Sequence, residues 1–357
     1  MCCQRVCVAS RPACCSRRAA VSGTSTSGNW DRRRRMRIVF FGSPDYAVPS
    51  LRACLALSNA EVIAVVTQPD RPRGRSGVAL PTPVKALAVK AGIRIILQPE
   101  RIRRDIADTI AALQPDIGVV AASGHILPSY LLALFPHRVL NVHASLLPRH
   151  RGASAVASAI LAGDAETGAT IMEVVREVDA GPVVAQTRLP IGPLDTTGTL
   201  TTRIAEAGAV LLGDVLPRWV AGALASVPQN ASEATFAPKL TKEDGRIDWS
   251  RSAAEIDRAI RAFQPWPTAF TTYQDAPFTV HAAWPIPIAL DVPPGTVVAG
   301  DGELLTPLLP GRVSRALVAC GQGALAILTI QRPGKRPTPI EAYLNGDRAF
   351  IGSRLGA

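Results

Sequence analysis

From residue 36 onward the chain alternates short apolar runs with amphipathic stretches. The runs at 38–41, 62–67, 93–97, 117–121 and 139–143 are apolar on both faces, as strands of a sheet covered on both sides must be. Segments near 47–57, 83–90, 102–113 and 127–135 carry the three- and four-residue spacing of helices. Strands separated by helices predict a doubly wound α/β domain built on a parallel sheet. Two more strands are predicted at 169–175 and 183–189, then a long helix over 197–221. The stretch 226–238, with two prolines and little periodicity, is expected to be a linker. Beyond Trp266 the pattern changes to β-like runs at 269–273, 278–283, 295–298, 316–319 and 324–330, broken by Pro and Gly. That pattern predicts a small barrel or sandwich. The expected organisation is a leader over 1–35, an α/β domain over 36–225, a linker over 226–238 and a β-rich domain over 239–357.

Charge changes this picture less than its total suggests. The 357 residues carry a net +11, but residues 1–35 hold eight Arg against one Asp, so the body carries only +4. Five of the seven cysteines also fall in the leader, leaving Cys54 and Cys320 in the body. Two cysteines so far apart form neither a disulfide framework nor a metal cluster, and the body is expected to be a reduced, cytoplasmic protein. No run of about 18 apolar residues is present, so no helical membrane span is expected. The leader is Arg-, Ser- and Cys-rich and lacks the apolar core of a secretory signal. It suits either an organelle transit peptide or an upstream extension ahead of a true start at Met36. The second reading is preferred, because Met36 immediately precedes the first strand.

Candidate chemistry is concentrated at the strand ends. The first strand–helix turn, Gly42-Ser43-Pro44-Asp45-Tyr46, is not G-x-G-x-x-G, and no Walker loop occurs, so a dinucleotide cofactor is not expected. The five histidines show no metal-ligand spacing, so no metal is expected either. In Asn141-Val142-His143-Ala144-Ser145-Leu146-Leu147-Pro148, Asn141 and His143 share one face at the carboxyl end of a strand, where open α/β sheets place ligands. An amide beside an imidazole suits acyl transfer, with one group steadying an oxyanion and the other handling a proton. Asn and His at a strand end also serve simply to satisfy loop backbone, and the two residues alone leave both readings open. Asp179, before Ala180-Gly181-Pro182, either caps that turn or orients His143 and sets its charge. Arg71, Arg73 and Arg75 lie in a Pro- and Gly-rich loop that either grips phosphates or is merely solvated. Near the C-terminus, Arg312, Arg315, Arg332, Lys335, Arg336, Arg348 and Arg354 are opposed only by Glu341 and Asp347.

Together these stretches resemble the methionyl-tRNA formyltransferase family from Met36 to about Gly352. The resemblance rests on 36–44, 67–72, 141–148 with Arg151-Gly152, and 163–168. In the second domain it rests on 237–249 and on 260–267, which ends Phe263-Gln264-Pro265-Trp266-Pro267. The formyl-transferring core is shared with glycinamide-ribonucleotide and amino-sugar enzymes, whereas 239–249 and 263–267 are more specific to the tRNA enzyme. The resemblance implies a Rossmann-like formyltransferase domain followed by an OB-like barrel that helps hold tRNA. It implies a 10-formyltetrahydrofolate donor, an initiator methionyl-tRNA acceptor and a monomeric enzyme of translation initiation. The family's catalytic trio falls on Asn141, His143 and Asp179. Its folate-contacting segment falls on Ser145, Leu146, Leu147 and Pro148. Its acceptor-stem loop falls on Arg71, Arg73 and Arg75.

The chain departs from the family pattern at three places, of which Ser123, at the tip of the fourth strand–helix loop, is near the expected folate pocket. His150 stands where a Trp is common, Ala155 where a Pro is common and Ser123 where a Tyr is common. After Arg75 the loop runs Ser76-Gly77-Val78-Ala79-Leu80 rather than continuing with lysines, which makes it less basic. Two competing expectations remain open. One is a formyltransferase acting on an amino-sugar nucleotide; the other is a silent folate- or tRNA-binding module on the same fold.

Overall fold

The apolar run after Arg35 forms β1 (Met36–Gly42), in which Met36 and residues 38–41 are at most 1% exposed. The computed structural model describes residues 35–72, 77–300, 306–309 and 311–356. After β1 come α1 (Ala47–Ala56), β2 (Ala60–Val66), a hairpin of β3 (Arg71–Pro72) and β4 (Ala79–Leu80), α2 (Pro83–Lys90) and β5 (Ile96–Leu97). Then follow α3 (Arg104–Ala112), β6 (Ile117–Ala121), α4 (Ser129–Leu132), β7 (Val139–His143), α5 (Ala155–Ala162), β8 (Glu166–Glu173), β9 (Val183–Pro190) and α6 (Thr197–Val220).

The seven strands of the main sheet run in the order β5-β2-β1-β6-β7-β8-β9. The first five are parallel, and β8 and β9 extend the sheet antiparallel. The sheet is therefore mixed where the pattern predicted a parallel one. The direction of winding reverses between β1 and β6, and a doubly wound sheet opens a crevice at the carboxyl ends of such strands. The back of the sheet is covered by α6, which buries Leu200, Ile204, Gly208, Leu212 and Leu216 at four-residue intervals. A capping box between Thr196 and Thr199 starts this helix.

The connector after α6 does not hang free. Val227 bridges to Val183 at the start of β9, and Phe236 bridges to Arg151. Beyond it lie α7 (Ala253–Ala262), β10 (Ala269–Tyr273), β11 (Ala276–Ile286), β12 (Val297–Ala299), β13 (Ala316–Ala319), β14 (Ala324–Gln331), β15 (Thr338–Pro339) and α8 (Ile340–Gly346). The order β10-β11-β14-β13-β12, with β15 on the flank of β14, forms an antiparallel half-barrel. Its core gathers Phe278, Val280, Val297 and Ile327, with Phe278 stacked on Phe350 at 5.3 Å.

Three helices were absent from the periodicity reading. The first, α5, is short, Ala-rich and apolar nearly all round, so it has no polar face to set a period. By contrast α7 did carry a signal, the Ser252–Glu255 capping box before Ile256 and Ile260. The last, α8, is a single short segment after Pro339. The expected helix at 127–135 shrinks to α4 between Pro128 and Pro136, and the strand expected at 93–97 keeps only the two residues paired to β2. No helix among the described residues is long and apolar enough to cross a membrane.

Candidate functional site

The alternation of a strand places Asn141 and His143 on one face at the end of β7. The Asn141 amide is half-buried and has no protein partner among the described residues. His143 is 8% exposed, and its Nε2 lies 3.1 Å from the His150 carbonyl. A carbonyl can only accept, so Nε2 carries a hydrogen. Nδ1 then faces Asp179, 3.6 Å from Oδ1.

Asp179 comes from the turn between β8 and β9 and sits at φ +51°, a conformation few non-glycine residues adopt. Its Oδ2 accepts a 2.8 Å hydrogen bond from the backbone N–H of Gly152. That approach requires glycine: Gly152 has φ +118°, and a Cβ there would lie 2.6 Å from the Ala237 carbonyl. Gly181 is equally constrained, because a Cβ would meet the Glu173 carbonyl at 1.8 Å.

The loop after β7 is held from several sides. The backbone N–H of His150 donates to Thr235 Oγ1 at 2.8 Å. The His150 ring reaches Asp164 at 2.7 Å, beside the Arg149 guanidinium at 2.6 Å. The residue that departs from the family pattern thus ties its loop to Asp164 while its carbonyl receives His143.

Asn141, His143 and Asp179 open into one cavity of about 790 Å³, which Tyr46, Ser123 and Thr201 also line. Burial pushes the Tyr46 phenol above its ordinary value, so it stays a neutral donor to the Val142 carbonyl at 3.3 Å. His125 Nε2 donates to the Pro99 carbonyl at 2.9 Å, which leaves Nδ1 to accept from Ser123 Oγ at 3.1 Å. At the lining, Ile126 and Val178 are 91% and 73% exposed, an apolar edge facing solvent.

Ser145, Leu146, Leu147 and Pro148 do not line this cavity; the run that begins at Asn141 lines it only as far as Ala144. Ser145 is fully buried, donates to the Arg149 carbonyl at 2.6 Å and accepts from Thr170 Oγ1 at its own carbonyl. The Leu147 N–H donates to Thr170 Oγ1, and its carbonyl accepts from Gln186 at 2.8 Å. Leu146, Leu147 and Pro148 instead line a separate groove of about 480 Å³. The segment is a braced turn whose polar groups are already committed.

Arg71 is exposed in the β3–β4 hairpin, whereas Arg73 and Arg75 lie outside the described residues. The base of the hairpin is anchored. Hydrogen bonds from Lys85 at 2.5 Å and Gln98 at 2.7 Å hold the Asp70 carboxyl below its usual value. No local pattern signals that the connector residues Gln229, Thr235 and Ala237 meet the site, because those contacts are purely tertiary. Among the described residues no group of His, Cys, Asp and Glu is placed to hold a metal ion.

The same chain path is seen in solved structures. An N-formyltransferase from Helicobacter canadensis, in complex with folinic acid and dTDP-3-aminofucose, superposes with a TM-score of 0.59 at 17% identity, over 82% of this chain and 99% of that one. HypX from Aquifex aeolicus, in complex with tetrahydrofolic acid, gives 0.54 at 20% identity over 87% of this chain; the chain spans about half of HypX. At those identities the likeness is one of fold. Sequence is more telling. Residues 36–216 match the formyl transferase family and residues 239–348 its C-terminal domain. The methionyl-tRNA formyltransferase of Roseiflexus sp. (strain RS-1) is 44% identical over 90% of this chain and 95% of its own length. That of Methylococcus capsulatus is 42% identical over 90% of this chain and all of its own. With both domains matched, in order, on a fold that brings Asn141, His143 and Asp179 into one cavity, this chain is a formyl-transferring enzyme and belongs to the methionyl-tRNA formyltransferase family.

Proposed function

We propose that the chain transfers the formyl group of 10-formyltetrahydrofolate to the α-amino group of methionine on initiator tRNA. In this reading it acts as a cytoplasmic monomer in translation initiation. The observation that carries the reading is the unpartnered Asn141 amide beside His143 and Asp179 in a cavity sized for a small ligand. That orphaned amide, with the apolar edge at Ile126 and Val178, fits a folate donor. Such a donor supplies an activated one-carbon unit. Asn141 then donates to the formyl oxygen as negative charge grows on it, and His143 adds its electrostatic support. As the amine attacks the formyl carbon, the His143–Asp179 pair takes its proton, and that proton goes to N10 as the carbon–N10 bond breaks and tetrahydrofolate leaves. Arg71, Arg73 and Arg75 grip the acceptor stem. Lys242, Arg246, Arg332, Lys335 and Arg336 border two adjoining grooves of the second domain that share Arg332, a basic surface suited to phosphates.

The test is formyl transfer to charged initiator tRNA, with and without 10-formyltetrahydrofolate, beside an amino-sugar nucleotide as alternative acceptor. Donor-dependent formylation of the tRNA alone is expected. Transfer to the sugar and not to the tRNA would overturn the acceptor assignment.

A further inference from the structure

Asp179 holds its place in the site with a left-handed backbone, a strained conformation that persists only where its surroundings enforce it. Its carboxylate is held by the Gly152 N–H, but that bond alone does not fix the peptide planes on either side. Those planes are held by a residue of the connector. Gln229 Nε2 donates to the Asp179 carbonyl at 2.9 Å and to the Gly181 carbonyl at 2.7 Å. Its Oε1 accepts from Arg151, at 3.0 Å from Nε and 2.7 Å from Nη2.

The local chain path explains the fit. The Val183–Val227 bridge carries the connector past the start of β9 and lays Gln229 against the 179–181 turn. The Arg151–Phe236 bridge brings the same connector back to the loop after β7. Arg151 immediately precedes Gly152, so a ring closes: carboxylate to Gly152, Arg151 to Gln229, Gln229 to the backbone of Asp179. Only an amide can complete it. Glu would accept from Arg151 but could not donate to the two carbonyls, and Met, of similar length, could do neither.

We infer that Gln229 is a positioning residue of the reaction, clamping the strained Asp179 turn so that its carboxylate faces His143. The inference rests on the proposed formyl transfer, in which Asp179 works with His143. Gln229 acts through Asp179 and belongs to the linker rather than to the catalytic strand.

The experiment compares wild type, Gln229→Met, Gln229→Glu, Asp179→Asn and the Gln229→Met/Asp179→Asn double variant, all as full-length chains. Transfer from 10-formyltetrahydrofolate to charged initiator tRNA is the readout. Both Gln229 variants are expected to lower kcat about tenfold or more, the size of loss seen when a supporting partner is removed, with KM for both substrates within about twofold. In the Asp179→Asn background, Gln229→Met should cost nothing further in kcat, because a residue acting through Asp179 has nothing left to position. Unchanged kcat in the single variants, or an undiminished additional loss in the double one, overturns the inference. If Gln229→Met does not fold, Arg151→Lys serves instead: it keeps the charge but breaks the two-point grip on Oε1, and a smaller fall in kcat at unchanged KM is expected. Unchanged kcat there overturns the inference as well. Absence of transfer by wild type would instead refute the formyl-transfer reading itself, so the two failures are distinguishable.

Discussion

Two loops rim the carboxyl end of the main sheet, and they are built in opposite ways. The loop after β7 is closed on itself and on the rest of the molecule. Ser145 is fully buried, Leu147 and His150 are 5% and 6% exposed, and the backbone is tied to Thr170, Gln186 and Thr235. The loop after β2 is fixed only at its foot, where Gln68 meets Ser43 and Asp70 meets Lys85 and Gln98. From Arg71 to Leu80 every described residue is exposed. The difference matches the tasks proposed for the two loops. Moving a proton and steadying an oxyanion need groups held to within a fraction of an ångström, so the supporting loop spends its polar atoms on the protein. Gripping a polyanion needs reach and charge, and an exposed guanidinium such as that of Arg71 suits that need.

That contrast breaks most visibly at the rigid loop. Asn141→Ala and His143→Ala are each expected to lower kcat about 10²-fold or more, the usual size for losing an oxyanion donor or an acid/base group. Donor binding, followed by fluorescence or calorimetry, should change little, since both groups act on the developing charge. Asp179→Asn should also reduce kcat, because Asn can still face the ring but carries no charge. Near-normal turnover in either Ala variant would leave the braced loop as mere scaffolding.

At the open loop the effects should be smaller and of another kind. Arg75→Ala should raise the KM for initiator tRNA and leave donor binding intact, because the family resemblance makes the last arginine of the loop the specificity contact. Arg71→Ala and Arg73→Ala should weaken tRNA binding more uniformly, with a shallower dependence on salt, as phosphate contacts do. With Gly77-Val78-Ala79-Leu80 in place of lysines, the wild-type salt slope should itself be modest. Identical salt dependence in all four proteins would make the hairpin a solvated connection only.

The two loops also differ in how far the sequence disclosed them. Strand β7 could be read directly, since an apolar run ending in Asn-Val-His fixes which side chains share a face. The doubly wound class followed from the alternation of strands and helices, but not the strand order that puts the switch point between β1 and β6. What places Asp179 next to His143 was not legible, because it depends on Gly152, Gly181 and a connector whose composition suggests only a linker. No local pattern reports that Gln229 touches the carbonyls of residues 179 and 181, many positions away along the chain. The bracing of the Ser145–Pro148 turn was hidden for a related reason. Its motif marks where the loop lies, but burial and committed hydrogen bonds decide what it can touch. Helix α5 was invisible because periodicity needs a polar face. The arginine loop, by contrast, was legible as charge and stays so, since its chemistry is carried by composition more than by geometry.

The smallest expected effect lies at the foot of the open loop and tests how much anchoring it has. The Lys85 and Gln98 hydrogen bonds lower the Asp70 carboxyl below its ordinary value, so the group favours the folded hairpin when ionised. A carboxyl depressed in the folded state contributes its full share above the unfolded pKa of about 3.9, and the contribution disappears as pH falls through the lower folded value. Asp70→Asn should therefore speed amide hydrogen exchange at Leu80, whose strand pairs with Arg71, at neutral pH, with no measurable shift of the thermal midpoint. Wild-type exchange, corrected for its intrinsic pH dependence, should approach that of the variant only below about pH 4. A modest rise in the KM for tRNA should accompany the faster exchange, while kcat stays as it was, because the braced loop is untouched. If exchange at neutral pH is the same in both proteins, the hairpin is held by its two-residue ladder alone and Asp70 plays no part in presenting the arginines.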